Sequence, residues 1–416
     1  MEGGTALPRA AAEIIRDPLW DNIHLEPAAV AAMDTPTVQR LRHVRQLGHA
    51  FLVYPGATHS RFEHALGAYH LTRRALATLA ERGDLAGIAE SEQLAVRLAA
   101  LLHDIGHYPF SHALEEAGFT PHEILGADRL RIGALGDVLR GLGGDALIDS
   151  IAAMIQGTST SPLAGLISGS IDLDKLDYLS RDARMCGVPY GQVDVDRLLA
   201  SLCLLPVAPG RREIGVQEKG TSALESLLFA KYQMYRNVYW HHAVRSATCM
   251  FKRAVRATVR TGGMDVGAVA EATDGALTTL LRERDPTGLA RAVHERRLYK
   301  RALDLPATAV PEDVPSWLWD DPARLEQAED ALAASLKLAA GGVLIDFPAR
   351  ANMLQVDLPL LTRAGAVERL TDAGRAGQLG LPHVAEELYR TARRLRIFTS
   401  EPRRLEHIPP QLQANP

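Results

Sequence analysis

LLHDIGHYPFSH, residues 101–112, puts an adjacent His103–Asp104 pair at the end of an apolar helical run. The run starts near Ser91 and carries Leu94, Leu98, Leu101 and Leu102 on one side, and Gly106 and Pro109 break it. Neighbouring side chains on a helix diverge by about 100°, so mid-helix they rarely share a ligand. At a terminus followed by glycine both can converge. Left alone, two polar groups after such a run cost about 2 kcal/mol or more to bury. A shared metal ion removes that conflict. The plainer alternative is a capping Asp beside a satisfied core histidine.

The surroundings weigh against the plainer alternative. Seven of the 15 histidines fall between residues 59 and 122, namely His59, His64, His70, His103, His107, His112 and His122. Imidazole is the commonest side-chain ligand for first-row metals, and carboxylates add charge neutralisation. His64 lies in HSRFEHALG (59–67), inside a helical period with Phe62, Ala65, Leu66 and Tyr69, and Gly67 would let another backbone come close. Downstream, ISGSIDLDKLDYLSRDA (167–183) gathers Asp172, Asp174, Asp177 and Asp182 around Lys175, Tyr178 and Arg181. Asp174 and Tyr178, four apart, share a helical face.

The rest of the chain reads mainly as helices, over roughly 34–47, 61–82, 91–104, 121–142, 144–156, 172–185, 193–202 and 218–262, the last long enough to be bent or broken. The texture changes near Gly262–Gly263. GGVLIDFPA (341–349) and LRIFTSEP (395–402) read as strands, 365–394 as helical segments, and the end from Pro409 as frayed. The expected architecture is mainly α, with a helical domain over 1–262 and a smaller C-terminal α+β region over 263–416 serving assembly or regulation.

Composition narrows the function classes. The 416 residues, 47% hydrophobic and 23% charged, exclude a mostly disordered chain. A net charge of −4 leaves no chain-wide basic field for duplex nucleic acid. No apolar run reaches the ~18 residues of a membrane span, and the N-terminus lacks the apolar stretch of a secretory signal. The odd, scattered Cys186, Cys203 and Cys249 form neither a disulfide framework nor a metal knuckle. A reducing cytoplasm is the expected setting.

In the order TPTVQRLRHVRQLG, YPGATHSRFEHALG, LLHDIGHYPFSH, PHE and IDLDKLDYLSRD, the chain resembles the HD-domain metal-dependent phosphohydrolases. Within them it is similar to the branch of bacterial and animal deoxynucleoside triphosphate triphosphohydrolases. The resemblance covers roughly residues 34–250. It implies one divalent metal (Mn, Fe, Mg, Co or Ni) held by His64, His103, Asp104 and Asp174, and a catalytic His122 oriented by Glu115. The acid is Glu where animal members have Asp. The resemblance further implies that Arg61, His107, His112 and Lys175 face phosphates. Tyr178 and Asp182 would read the sugar 3′-hydroxyl, Gln46 and Leu47 would lie beside sugar and phosphate, and Tyr239 would pack under the sugar and exclude a 2′-hydroxyl.

The implied reaction is hydrolysis of a deoxynucleoside triphosphate to deoxynucleoside and triphosphate. The implied partners are a nucleotide effector and further copies of the chain, as dimer or tetramer. Two other readings compete. One is the same chemistry on a monophosphate, cyclic nucleotide or other phosphorylated metabolite. The other is a nucleotide-sensing non-enzyme.

Overall fold

The computed structural model describes residues 11–311, 313–349, 357–370 and 390–412. Mainly α architecture is what these residues adopt, with small sheets at the periphery. No helix among the described residues is long and apolar enough to cross a membrane.

The central element is the Arg61–Glu81 helix. It starts at a capping box: Ser60 Oγ accepts from the Glu63 backbone N–H, and the Glu63 carboxylate accepts from the Ser60 N–H. Leu66, Tyr69, Leu76 and Leu79 of this helix are buried. They join Leu98, Leu101 and Leu102 of the Glu90–Leu102 helix and Leu173, Leu176 and Leu179 of the Leu173–Cys186 helix in one core. Burying each such leucine contributes about 1.5–3 kcal/mol. Three helices that carry the His103–Asp104 pair, His64 and the 172–182 acids are thereby locked together.

Gly67 sits where that packing is closest. A Cβ there would meet Asp177 Oδ1 at 1.8 Å and an Arg181 nitrogen at 2.5 Å, so the approach is by a side-chain ion pair and not by backbone. Gly106 admits the His122–Arg129 helix, whose His122 carbonyl would lie 1.9 Å from a Cβ.

The long 218–262 stretch is broken, as its length suggested. Thr221–Met234 passes into a π turn, Tyr235–Tyr239, and resumes as His242–Arg260. Such π insertions cluster at functional sites. The Gly133–Ile155 helix is interrupted at Gly143 and Gly144, whose φ is 67°.

The expected strands form a three-stranded antiparallel sheet. Arg394–Thr399 is central, between Lys300–Pro306 and Val343–Asp346. Two expectations are corrected. Within 365–394, Val367–Arg369 is a strand paired with Pro359–Leu361, and 371–389 lies outside the described residues. Pro359–Leu361 in turn runs parallel to Arg211–Gln217, the second strand of a hairpin whose first, Leu202–Ala208, lies at the sheet edge. The segment from Pro409 is not wholly frayed: Pro410–Leu412 is a 3-10 turn, and Leu412 packs against Trp317, Leu332 and Ile397. A second core joins Tyr108, Phe110 and Leu114 to Met250, Phe251, Leu277, Leu281 and Phe398. The loop after Asp104 is therefore built against residues far along the chain.

Under that sheet, Glu329 accepts the Ile345 N–H at 2.8 Å and faces Arg253 at 3.2 Å. Burial pushes its carboxyl up to about 7, against the Ile345 N–H and Arg253. A folded-state value above the unfolded one stabilises below the ordinary Glu range, and the contribution is lost as pH rises through 7. Glu329→Gln keeps the acceptor and removes the titration. Urea denaturation should show wild type losing about 2 kcal/mol relative to this variant between about pH 5 and about pH 8. Parallel pH profiles would refute it.

Candidate active site

His64 lies one turn into the Arg61–Glu81 helix, His103 and Asp104 end the Glu90–Leu102 helix, and Asp174 opens the Leu173–Cys186 helix, which is N-capped by Asp172. Their side chains converge. His64 Nε2 is 2.8 Å from Asp174 Oδ1, 3.2 Å from His103 Nε2 and 3.8 Å from Asp104 Oδ2. His103 Nε2 is 3.3 Å from Asp104 Oδ1 and 3.5 Å from Asp174 Oδ1.

The far side of each imidazole settles what this cluster can hold. His64 Nδ1 faces Asp177 Oδ2 at 2.8 Å, and His103 Nδ1 faces the Ala100 carbonyl at 2.9 Å. A carboxylate and a carbonyl only accept, so each Nδ1 carries the hydrogen. Two Nε2 lone pairs then point at each other beside two carboxylates. Such an arrangement needs a positive charge between them, and an orienting carboxylate behind a histidine is the usual support of a metal ligand. Without an ion a proton must serve. Burial opposes a charge on His64, yet Asp174 and Asp177 push it up to about 10. His103 is raised by Asp104 and Asp174, also against burial. Two imidazoles and two carboxylates suit a divalent cation with open positions better than a closed structural zinc site.

A second group adjoins the first through Asp104. His107 Nε2 is 3.1 Å from Asp104 Oδ1, and its ring stacks on His122 at 3.6 Å. His122 Nδ1 donates to Glu115 Oε1 at 2.7 Å, so the longer acid reaches its histidine. His112 Nδ1 meets the other Glu115 oxygen at 3.2 Å, from a side chain 59% exposed. Burial works to raise Glu115, but His112 and His122 outweigh it and hold the carboxylate below its ordinary range. Burial, with Arg61 and His122 alongside, keeps His107 neutral.

The two expected phosphate cations are engaged internally. Arg61 donates to Asp104 at 2.6 Å and to Ser111 Oγ at 2.8 Å. Lys175 pairs with Asp172 and donates to the Gly169 carbonyl at 3.0 Å. Lys231 is buried near Lys175, and burial with the Lys175 charge brings it down to about 8.

Toward the expected sugar side, Tyr239 donates to Asp182 at 2.7 Å, and Asp182 also meets His59 Nε2 at 2.7 Å. Tyr178 bridges the two regions, its ring 6.3 Å from Tyr239 and 6.4 Å from His64. Gln46 is buried and its carbonyl accepts from Ser111 Oγ, while Leu47 packs between two apolar clusters. Two residues without an assigned role from sequence are central here: Asp177 behind His64, and His59 behind Asp182. The only signal for Asp177 was its i,i+4 spacing to Arg181, with which it pairs at 2.9 Å.

The HD domain family matches residues 61–182, and the HD associated region matches 193–375. Residues 61–182 thus form an HD domain, followed by the region associated with it. An uncharacterised protein of Methanocaldococcus jannaschii is 36% identical over 292 residues, 70% of this chain and 59% of its own length. The deoxynucleoside triphosphate triphosphohydrolase SAMHD1 of Bos taurus is 28% identical over 346 residues, 69% of this chain and 58% of its own. The chain thus spans under two thirds of these relatives. The crystal structure of a hypothetical protein from Aquifex aeolicus shares the fold, with a TM-score of 0.73, 25% identity, and 94% of this chain and 96% of that one covered.

Proposed function

We propose that the protein is a metal-dependent phosphohydrolase that cleaves deoxynucleoside triphosphates to deoxynucleoside and triphosphate. The observation that carries this reading is the cluster of His64, His103 and Asp174, with Asp104 3.3 Å from His103 Nε2 and with Arg61, Lys175, Lys231 and the His107–His112–His122 group alongside. Similarity to the bovine triphosphohydrolase supports the choice of substrate.

A divalent ion held by the four residues would compensate phosphate charge and make water a stronger nucleophile near neutral pH. The protein's own groups do the rest. Glu115 holds the Nδ1–H of His122, which leaves Nε2 to hand a proton to the departing 5′-oxygen or to take one from water. With Asp104 serving a cation, Arg61 Nη1 would be available to a phosphate oxygen, and Lys175, here paired with Asp172, would offer a second donor. A triphosphate brings up to about four negative charges, which this set of donors can balance. Tyr239, tied to Asp182, presents a ring on which a deoxyribose packs and against which a 2′-hydroxyl would be left unpaired. A second copy of the chain and a nucleotide effector complete the reading drawn from the resemblance.

The test is incubation of the purified protein with each dNTP and NTP in Mn²⁺, Mg²⁺ or Co²⁺, with products resolved by chromatography. Deoxynucleoside and inorganic triphosphate are expected from dNTPs, and ribonucleotides should react at least about tenfold more slowly. Release of pyrophosphate and monophosphate would overturn the proposed cleavage. Turnover of monophosphates or cyclic nucleotides alone would overturn the substrate.

A further inference from the structure

The loop that carries Glu115 has little regular structure of its own. Between Asp104 and the His122–Arg129 helix it forms only the 3-10 turns Ser111–Ala113 and Glu115–Ala117. Phe110 and Ser111 are left-handed, with φ of 60° and 61°, and Gly118 ends the segment at φ 90°. Something outside the loop must therefore fix where Glu115 points.

The His242–Arg260 helix provides that support. Leu114 and Phe110 pack into the core shared with Met250 and Phe251. Beside them, Arg245, 5% exposed, grips Glu116 with two parallel hydrogen bonds of 2.9 and 2.8 Å. The same guanidinium meets Asp346, at the end of the Val343–Asp346 strand, at 2.6 Å. Lys252, two helical turns on, adds a 2.8 Å contact to Glu116. Arg396 also faces Asp346, at 3.8 Å. A forked Arg–carboxylate pair fixes direction as well as distance.

We propose that Arg245 is a positioning residue for the Glu115–His122 pair and acts through Glu116, tying the catalytic loop to the C-terminal sheet. This rests on the phosphohydrolase reading for its kinetic arm alone. Glu115 and Glu116 are adjacent. With the Glu116 carboxylate clamped on one side of the turn, the Glu115 carboxylate is held on the other, facing His122. Displacement of a catalytic group by about 1 Å costs up to about 100-fold in rate. The region after residue 262 thereby becomes part of the site's scaffold.

The test uses the full chain loaded with Mg²⁺ and the variants Glu116→Gln, Arg245→Lys and Arg245→Gln. Proton NMR reads two imidazole Nδ1–H signals, that of His122 on Glu115 and that of His64 on Asp177. In each variant the His122 signal should move upfield or vanish, while the His64 signal and metal content stay as in wild type. kcat on a dNTP should fall about 10- to 100-fold with KM unchanged. The Glu116→Gln, Arg245→Gln double variant should lose no more than the worse single one. Unchanged His122 signals would overturn the proposal. So would loss of both signals together, which marks a merely structural role. If wild type hydrolyses no nucleotide, the functional reading falls while the NMR arm still decides this one.

Discussion

Asp104→Ala should reduce hydrolysis at least about 10³-fold and abolish binding of a divalent ion, since on the proposed reading it removes a ligand from the group that would generate the nucleophile. The effect reaches beyond the metal. Asp104 is buried, and its carboxylate also pairs with Arg61 at 2.6 Å and His107 at 3.1 Å. Burial alone would raise its pKa, but Arg61, His103 and His107 outweigh it and hold Asp104 well below the ordinary carboxylate range. Alanine leaves the Arg61 guanidinium buried with only Ser111 for company. Breaking one side of a buried pair costs about 3–5 kcal/mol. Two measurements separate the parts: metal content by elemental analysis, and apo-protein stability by urea denaturation. Asp104→Asn should recover part of the stability and none of the activity. A variant that keeps full hydrolysis and its metal would rule out the assignment of Asp104 and revive a site used only for sensing.

The polar pair at residues 103 and 104 was legible because it closes an apolar run amid a concentration of histidines and acids. The same logic exposed His64 within its helical period. The strands at 343–346 and 394–399 were legible from short β-branched and apolar stretches bounded by turn residues. Residues 202–217 were not. Leu202 to Leu205 are all buried, so the strand shows no alternation, and a run of apolar residues alone does not distinguish strand from helix. Its hairpin partner is completed by Pro359–Leu361, more than a hundred residues later, which no local pattern reveals. Leu412 is held by a 3-10 turn and by tertiary packing. In the site, residue types marked the candidate ligands, but Asp177 was hidden among four closely spaced acids. Its role is set by which face of that helix meets His64. Glu116, likewise, reads as a solvent-facing acid until Arg245, far along the chain, arrives beside it.

Asp177→Asn should weaken metal binding by about 10- to 100-fold, the usual loss when the partner behind a ligating histidine is removed. The cause is the tautomer. Asp177 only accepts, and so keeps the His64 hydrogen on Nδ1 and the lone pair on Nε2. An amide can donate from its nitrogen, which lets His64 carry its hydrogen on Nε2, where it blocks the ion. Stability falls as well. Asp177 is fully buried and neutralises Arg181, which keeps only Asp17 at 2.8 Å in the variant. Because one carboxylate remains, the loss should sit near the low end of the ~3–5 kcal/mol for breaking a buried pair. Burial works to raise the Asp177 pKa, and Arg181 and His64 overcome it to leave it depressed. Its contribution is therefore present above the ordinary Asp value and lost as pH falls below it, so the stability of the variant should depend less on pH in acid than that of wild type. Gly67→Ala drives a methyl into the same carboxylate and should reproduce the loss of metal affinity without removing an ionisable group. Competitive titration against a metal indicator measures both variants. Wild-type affinity in each would show that His64 is held by the ion alone and needs no support from behind.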